Sequence, residues 1–298
     1  MSPQLRITHD FNRAVTVHDG TEPLFTYRYG EVDLYPYCHP VYLPGAHPVT
    51  MIRPGDHPWH CGMYFSWKYI NGLNAWDQEG SGHPWATTRN VSIAVEEPGV
   101  DRVRLTNVIE WIKPEGDPLI RDERRITYTQ KDAGRLRFID WELTFTPLVD
   151  VHLDRHIEWG GYAGMTVRFV RTVEPELRNT QGETTWPEAH RYRAPWTDYT
   201  WWLDGIPDPH NFQHWGGLTL MDHPTNRRHP TPWLTWTEKY IQGMNAAIIR
   251  DEPLDLKKGE ILRLAYRHFV HPGKGDPEQI AAEYRRFADW VPFGPDSA

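Results

Sequence analysis

GMYFSWKY, residues 62–69, repeats with a period of two. Met63, Phe65, Trp67 and Tyr69 fall on one side of an extended chain, and Tyr64, Ser66 and Lys68 fall on the other. Side chains of a strand point alternately to opposite faces, so this period of two predicts a β-strand. The same reading extends along the chain. RITHDFNRAVTVHDG (6–20) predicts two strands joined by a turn at Asp10–Asn12. VRLTNVIEWI (103–112), RRITYTQ (124–130), LRFIDWELTFTPL (136–148), GMTVRFVRT (164–172), GGLTLMDH (216–223) and ILRLAYRHFVH (261–271) predict more. Most are bounded by Gly, Pro, Asp or Asn, which punctuate short strands.

One segment departs from that period. In DPEQIAAEYRRFADW (276–290), Ile280, Tyr284, Phe287 and Ala288 share a helical face. Asp276 is placed to cap the helix and Pro277 suits its first turn. Many strands and one terminal helix predict an all-β fold: a large antiparallel β-sandwich with a short C-terminal helix at about 276–290. The expected organisation is one domain over residues 1–298.

Composition narrows the function classes. Of 298 residues, 39% are hydrophobic and 24% charged, a globular balance. The net charge of −8, with no basic patch, speaks against nucleic acid as a partner. No apolar run approaches the roughly 20 residues of a spanning helix, and MSPQLRITHDFNRAV has no apolar signal-peptide core. Cys38 and Cys61 are the two cysteines, so a reducing, cytoplasmic setting is expected and a membrane is not. The 15 Trp and 16 His stand out. Trp and Tyr rings stack on apolar sugar faces while keeping a polar handle. The segment YRAPWTDYTWWLDG (192–205) reads as an aromatic loop suited to that role.

The candidate chemistry begins just before the first strand quoted, in RPGDHPWH (53–60). His57 precedes a proline, which restricts its backbone. Asp56 is placed to orient an imidazole and fix its tautomer. Asp222–His223–Pro224 repeats Asp56–His57–Pro58, among seven His-Pro dipeptides, so two rigid turns are expected to converge on one pocket. In DRHIEWGGYAG (154–164), Asp154, His156 and Glu158 alternate and are expected on one strand face. The glycines after Trp159 would admit a close approach to a ligand. A carboxylate opposite a histidine serves proton transfer at a sugar carbon. Asp77, Asp154 and Glu158 are the candidates for a glycosidase carboxylate pair. No phosphate loop, nucleophile elbow or dinucleotide fingerprint is present.

Five segments carry a resemblance: PYCHPVYLPGAHPVT (36–50), RPGDHPWHCGMYFSWKYINGLNAW (53–76), EWGGYAGMTVRF (158–169), LMDHPTNRRHPTPW (220–233) and LKKGEILRLAYRHFVHPG (256–273). They resemble the PmoA-like family of unknown function, often labelled "methane oxygenase PmoA", over nearly the whole chain. Cys61–Gly62 departs from it, standing where a larger basic or polar residue is expected before the glycine. The resemblance implies a place in carbohydrate catabolism. The closing segment is also similar to the β-supersandwich of galactose mutarotase-like domains, which implies a supersandwich-like fold.

The expected function is acid–base catalysis, as hydrolysis, elimination or epimerisation, on a glycoside or oxidised keto-sugar. The expected catalytic residues are His57, His60, Glu158 and His223. The expected substrate-binding residues are Arg53, Asp56, Trp67, Asn74, Trp76, Arg155, His156 and Trp159. A non-catalytic carbohydrate-binding or sensor protein is one alternative, and a metal-dependent oxygenase is another. No cofactor is required by the first reading. A divalent metal, if held, would use His57 and His60. The expected partner is a small-molecule carbohydrate, with a homo-oligomer left open.

Overall fold

The computed structural model describes residues 5–30, 34–77, 84–184, 192–203 and 214–294. Two nine-stranded antiparallel sheets carry the architecture. The first runs, in spatial order, Leu5–Asp10, Ala14–Asp19, Glu22–Arg28, Tyr37–Val41, Met63–Ser66, Gly164–Arg168, Gln242–Ala246, Pro232–Thr237 and Tyr192–Arg193. The second runs Gly182–Thr184, Glu176–Asn179, Trp196–Trp202, Trp215–Asp222, Leu262–Pro272, Leu136–Pro147, Pro118–Lys131, Arg102–Ile112 and Thr87–Val95. A four-stranded sheet of Leu254–Leu256, Val151–Asp154, Tyr69–Ile70 and Leu73–Asn74 completes the sandwich.

Alternation along Met63–Ser66 decides what each side of the first sheet meets. Met63 and Phe65 join the continuous core, together with Met165, Val167, Met244 and Ala246 from neighbouring strands. Trp67 follows them, its ring 5.0 Å from Phe65 and 5.2 Å from Phe145. The opposite face carries Tyr64, Thr166 and Asn245, which sit in register across three adjacent strands. That face is roofed by loops, so Ser66 and Lys68 are buried rather than wet. Gly62 makes the entry to the strand feasible. Its φ is +73°, and a Cβ there would lie 2.5 Å from the Cys38 carbonyl oxygen.

The C-terminal helix spans Pro277–Asp289, capped by Asp276, which accepts from the Glu278 N–H at 3.0 Å. Ile280 and Phe287 pack on Phe138, Trp196, Met221 and Phe269 of the second sheet. Two expectations need correction here. Residues 196–202 form a buried strand rather than an aromatic loop, with Trp201 3% and Trp202 6% exposed; residues 204 and 205 lie outside the described residues. Asp154, His156 and Glu158 do not share a strand face. The strand ends at Asp154, and Ile157–Trp159 turn into a short 3-10 helix that Gly160 closes in the left-handed region.

Candidate functional site

The loop at residues 53–60 is pinned at its base, where the Arg53 N–H donates to the His60 carbonyl at 2.8 Å. Within it, His57 N–H donates to Pro54 O and His60 N–H donates to His57 O, each at 3.0 Å. These are two consecutive tight turns. Pro58 occupies the second position of the later one, where its fixed φ is favoured. The turn brings the two imidazoles face to face, with centroids 4.8 Å apart and planes 24° from parallel.

Asp56 anchors the outer ring. Its Oδ2 accepts from His57 Nδ1 at 2.8 Å and from Arg168 Nη2 at 2.8 Å. Burial alone would raise this carboxyl, but the His57 bond and the Arg168 charge outweigh it and hold it below the usual range. With Nδ1 as the donor, His57 keeps Nε2 as the proton-accepting nitrogen. The His57 side chain is 31% exposed. His60 is only 9% exposed, and burial, followed by the charges of His57 and Arg168, pushes its pKa well below 6.5. His60 is therefore a neutral imidazole at pH 7.

Both rings open onto a cavity of about 300 Å³. Trp59, Trp76, Trp159, Trp236 and Tyr162 supply its aromatic walls, with Ile241 beside them. Asp77, Thr166 and Asn245 supply polar edges. Trp159 is half exposed and stacks on His156 at 4.4 Å. Trp76 packs against Tyr162 at 4.9 Å and edge-on to His60 at 6.3 Å. Asn245 is fixed by its side-chain NH₂, which donates to Thr166 Oγ1 at 2.8 Å and to Met165 O at 3.1 Å.

A buried ion pair lies at the edge of the cavity. Lys68 Nζ is 2.8 Å from Asp77 Oδ1, and both side chains are essentially inaccessible. Asn74 Nδ2 also donates to Oδ1, while its Oδ1 accepts from the Trp76 N–H at 3.0 Å. The ammonium lies 5.1 Å from the Tyr69 ring centre, 5.2 Å from Tyr162 and 5.3 Å from Trp159. Burial lowers the Lys68 pKa, and Asp77 offsets part of that. Tyr162 is raised, first by burial and then by Asp77.

The structure brings together His57, His60, Trp76 and Trp159 at the cavity, with Asp56, Asn74 and His156 directly behind its lining. Other expected members are elsewhere. His223 does not converge on this site: its Nδ1 meets Thr225 Oγ1 at 2.8 Å and its Nε2 meets Trp290 O at 3.0 Å, fixing the end of the helix. Trp67 is core. Glu158 is exposed on the 3-10 helix and is not among the cavity-lining residues. Arg155 is committed to the Arg250 and Asp251 carbonyls at 3.0 and 2.8 Å. Arg53 is an exposed residue at the loop base. The close approach expected at the glycines is to protein, since a Cβ on Gly161 would meet Arg250 O at 2.9 Å.

Sequence reading passed over Trp59, although it stands between the two histidines. It also passed over Arg168, Thr166, Tyr162, Trp236 and Asn245, which only strand register and loop closure bring here. No group of three His, Cys, Asp or Glu among the described residues is arranged to hold a metal ion. Of the two histidines, His57 has Nδ1 bonded to Asp56, which leaves Nε2 as its free ring nitrogen. Among the described residues, no helix is long and apolar enough to cross a membrane.

The chain is similar to several solved structures at low identity. Galactose 1-epimerase from Lactobacillus acidophilus NCFM gives a TM-score of 0.43 at 8% identity, covering 92% of this chain and 100% of that one. A galactose mutarotase related enzyme from Lactobacillus acidophilus gives 0.37 at 10%, covering 91% and 99%. The alpha-galactosidase from Lactobacillus brevis gives 0.38 at 7%, covering 90% of this chain and 40% of that one. No curated protein matches the chain. A family profile matches residues 14–285, and its description assigns no activity and carries no methane-oxygenase label. The chain belongs to that family of unknown function, DUF6807.

Proposed function

We propose that this protein binds a small carbohydrate in the aromatic cavity and that His57 moves a proton on it. The observation that carries the reading is the pairing of four cavity tryptophans with a carboxylate-anchored histidine. Indole faces take up the apolar C–H surface of a pyranose, and the surrounding Asp, Asn, Thr and Tyr groups meet its hydroxyls. Imidazole is the side chain best suited to give and take a proton near neutrality. Asp56 holds the ring of His57 through Nδ1, and Arg168 holds Asp56. Neutral His60 supports the stacked ring and offers a hydrogen bond without adding charge. These groups serve hydrolysis, elimination and epimerisation of a glycoside or keto-sugar alike.

A second reading, a carbohydrate-binding protein without turnover, draws on the same walls. It is favoured by the second imidazole being held neutral rather than poised to titrate near pH 7. Two measurements separate the readings. Tryptophan fluorescence follows titration with methyl hexosides and 3-keto-hexosides, and NMR follows the fate of the ligand. Binding with turnover that His57→Ala removes supports the catalytic reading. Binding with no turnover in any case supports the second, and no binding at all removes both.

A further inference from the structure

We propose that the cavity selects uncharged sugars, and that the buried Lys68–Asp77 pair is the device that rejects sugar acids and sugar phosphates. This rests on the carbohydrate reading above and names the charge class of its ligand.

Among the described residues, the two buried cations nearest the cavity lining, Lys68 and Arg168, are each paired with a carboxylate. Lys68 is 2.8 Å from Asp77 and lodged against the rings of Tyr69, Tyr162 and Trp159. Arg168 is 2.8 Å from Asp56, whose same oxygen accepts from His57. Among the described lining residues, Asp77 is the one carboxylate, and no lysine or arginine lines the cavity. Its Oδ1 is consumed by Lys68 and Asn74. Among the described residues, its Oδ2 has a single long 3.4 Å contact, from the Tyr162 hydroxyl, leaving capacity for a ligand hydroxyl donor.

A neutral sugar fits that arrangement. It loses little on leaving water, stacks on indole and gives a hydroxyl proton to Asp77. An anionic sugar meets the opposite. It must shed the hydration of a full charge to enter an aromatic-walled site. Lys68 and Arg168 are bonded to carboxylates, and pulling Lys68 away would strand the buried Asp77 charge. The anion would also lie beside the buried Asp77 carboxylate. Asp77→Asn reverses the balance, because it leaves the Lys68 ammonium without its counter-charge beside the cavity.

The test is competitive binding read by tryptophan fluorescence at pH 7.5. The probes are methyl β-D-glucopyranoside, methyl β-D-galactopyranoside, methyl β-D-glucuronide and glucose 6-phosphate. The expected result is binding of at least one neutral glycoside, with both anions at least tenfold weaker. In Asp77→Asn the preference should shift toward the anions by tenfold or more. Where that variant fails to fold, Lys68→Met with Asp77→Asn removes the pair and should shrink the gap between neutral and anionic probes; an unchanged tenfold preference in it would overturn the role of the pair. Binding of glucuronide or glucose 6-phosphate as tight as the neutral glycosides overturns the charge rule and leaves the carbohydrate reading standing. Silence from all four probes and from a panel of neutral disaccharides overturns both.

Discussion

The tripeptide Asp-His-Pro occurs at 56–58 and again at 222–224, and the fold uses the two copies in opposite ways. At 56–58 the histidine is partly exposed at a cavity and the aspartate is shared with two arginines, Arg168 and Arg171. At 222–224 the aspartate is the buried hub. Asp222 Oδ1 accepts from Asn226 Nδ2 at 2.7 Å, and its Oδ2 accepts from His229 Nδ1 at 2.8 Å and the Thr231 N–H at 2.9 Å. Its own neighbour, His223, turns away to Trp290 and the Phe287 ring. What distinguishes the copies is where each following turn leads. After 58 the chain closes a short loop over the roofed face of the first sheet. After 224 it crosses from a strand of the second sheet to one of the first, beside the terminal helix.

The cavity-facing copy should give the larger change. His57→Ala should lower turnover by about 10²–10⁴, the usual cost of a positioned proton-transfer group. Its melting temperature should stay near that of the parent, since the ring is partly exposed and its backbone turn survives. Rate and thermal midpoint measured on one preparation give the answer. A rate loss that merely follows a lowered midpoint would make the 56–58 turn structural, like its twin. His60→Ala sharpens the point: a buried neutral ring that supports His57 should cost both rate and stability.

The structural side is broken through Asp222. Asp222→Ala leaves His229, Asn226 and the Thr231 N–H without their buried acceptor. The loss should be about 3–5 kcal/mol, as for breaking a buried charged network. Urea unfolding measures it, while sugar binding by the remaining folded protein should be unchanged. A variant that keeps its stability but loses ligand affinity would show that the two turns are coupled after all.

Acid separates buried from exposed histidines in the same way. Burial lowers His268 to about 3 and, with Arg28, lowers His39 to about 4; His60 is also well below 6.5. These are bases with folded pKa values below their unfolded ones. The unfolded chain therefore binds more protons below pH 6.5, and stability that is complete above 6.5 is lost as pH falls toward 4. Each such histidine contributes a slope of up to about 1.4 kcal/mol per pH unit. Urea unfolding at steps between pH 7.5 and 4.5 should show the decline, and His268→Gln should flatten it. A profile level down to pH 4.5 would mean that these rings become protonated within the fold.

The sandwich and its terminal helix were legible because period-two and period-3.6 patterns are local. GMYFSWKY, LRFIDWELTFTPL and DPEQIAAEYRRFADW each announce their element without reference to the rest of the chain. The site was legible only where it is local too. Asp56, His57 and His60 lie within five residues, so their mutual contact follows from one pair of turns. Thr166 and Asn245 meet through strand register, and Arg168 reaches Asp56 across 112 residues. Nothing in the chain near Arg168 marks it. The same limit explains His223, where a repeated tripeptide carried no information about the helix that would cover it.

The smallest expected effect concerns Glu158, whose alternation with Asp154 and His156 made it look like an opposing carboxylate. The alternation is real in sequence but has no strand to act on. The chain leaves the sheet at Asp154, and Glu158 emerges on the first turn of a 3-10 helix, exposed, with Trp159 rather than the carboxylate lining the cavity. An exposed carboxylate in water neither desolvates for a ligand nor holds a fixed geometry. Glu158→Gln should therefore change ligand affinity and turnover by less than about twofold, and unfolding free energy by about 0.5 kcal/mol or less. Trp159→Ala, one residue on, should weaken sugar binding about tenfold by removing a stacking face. Measuring both by the same fluorescence titration tests whether the short helix presents a ring or a charge. A hundredfold loss in Glu158→Gln with Trp159→Ala unaffected would restore the carboxylate to the site and require the loop to close over the ligand.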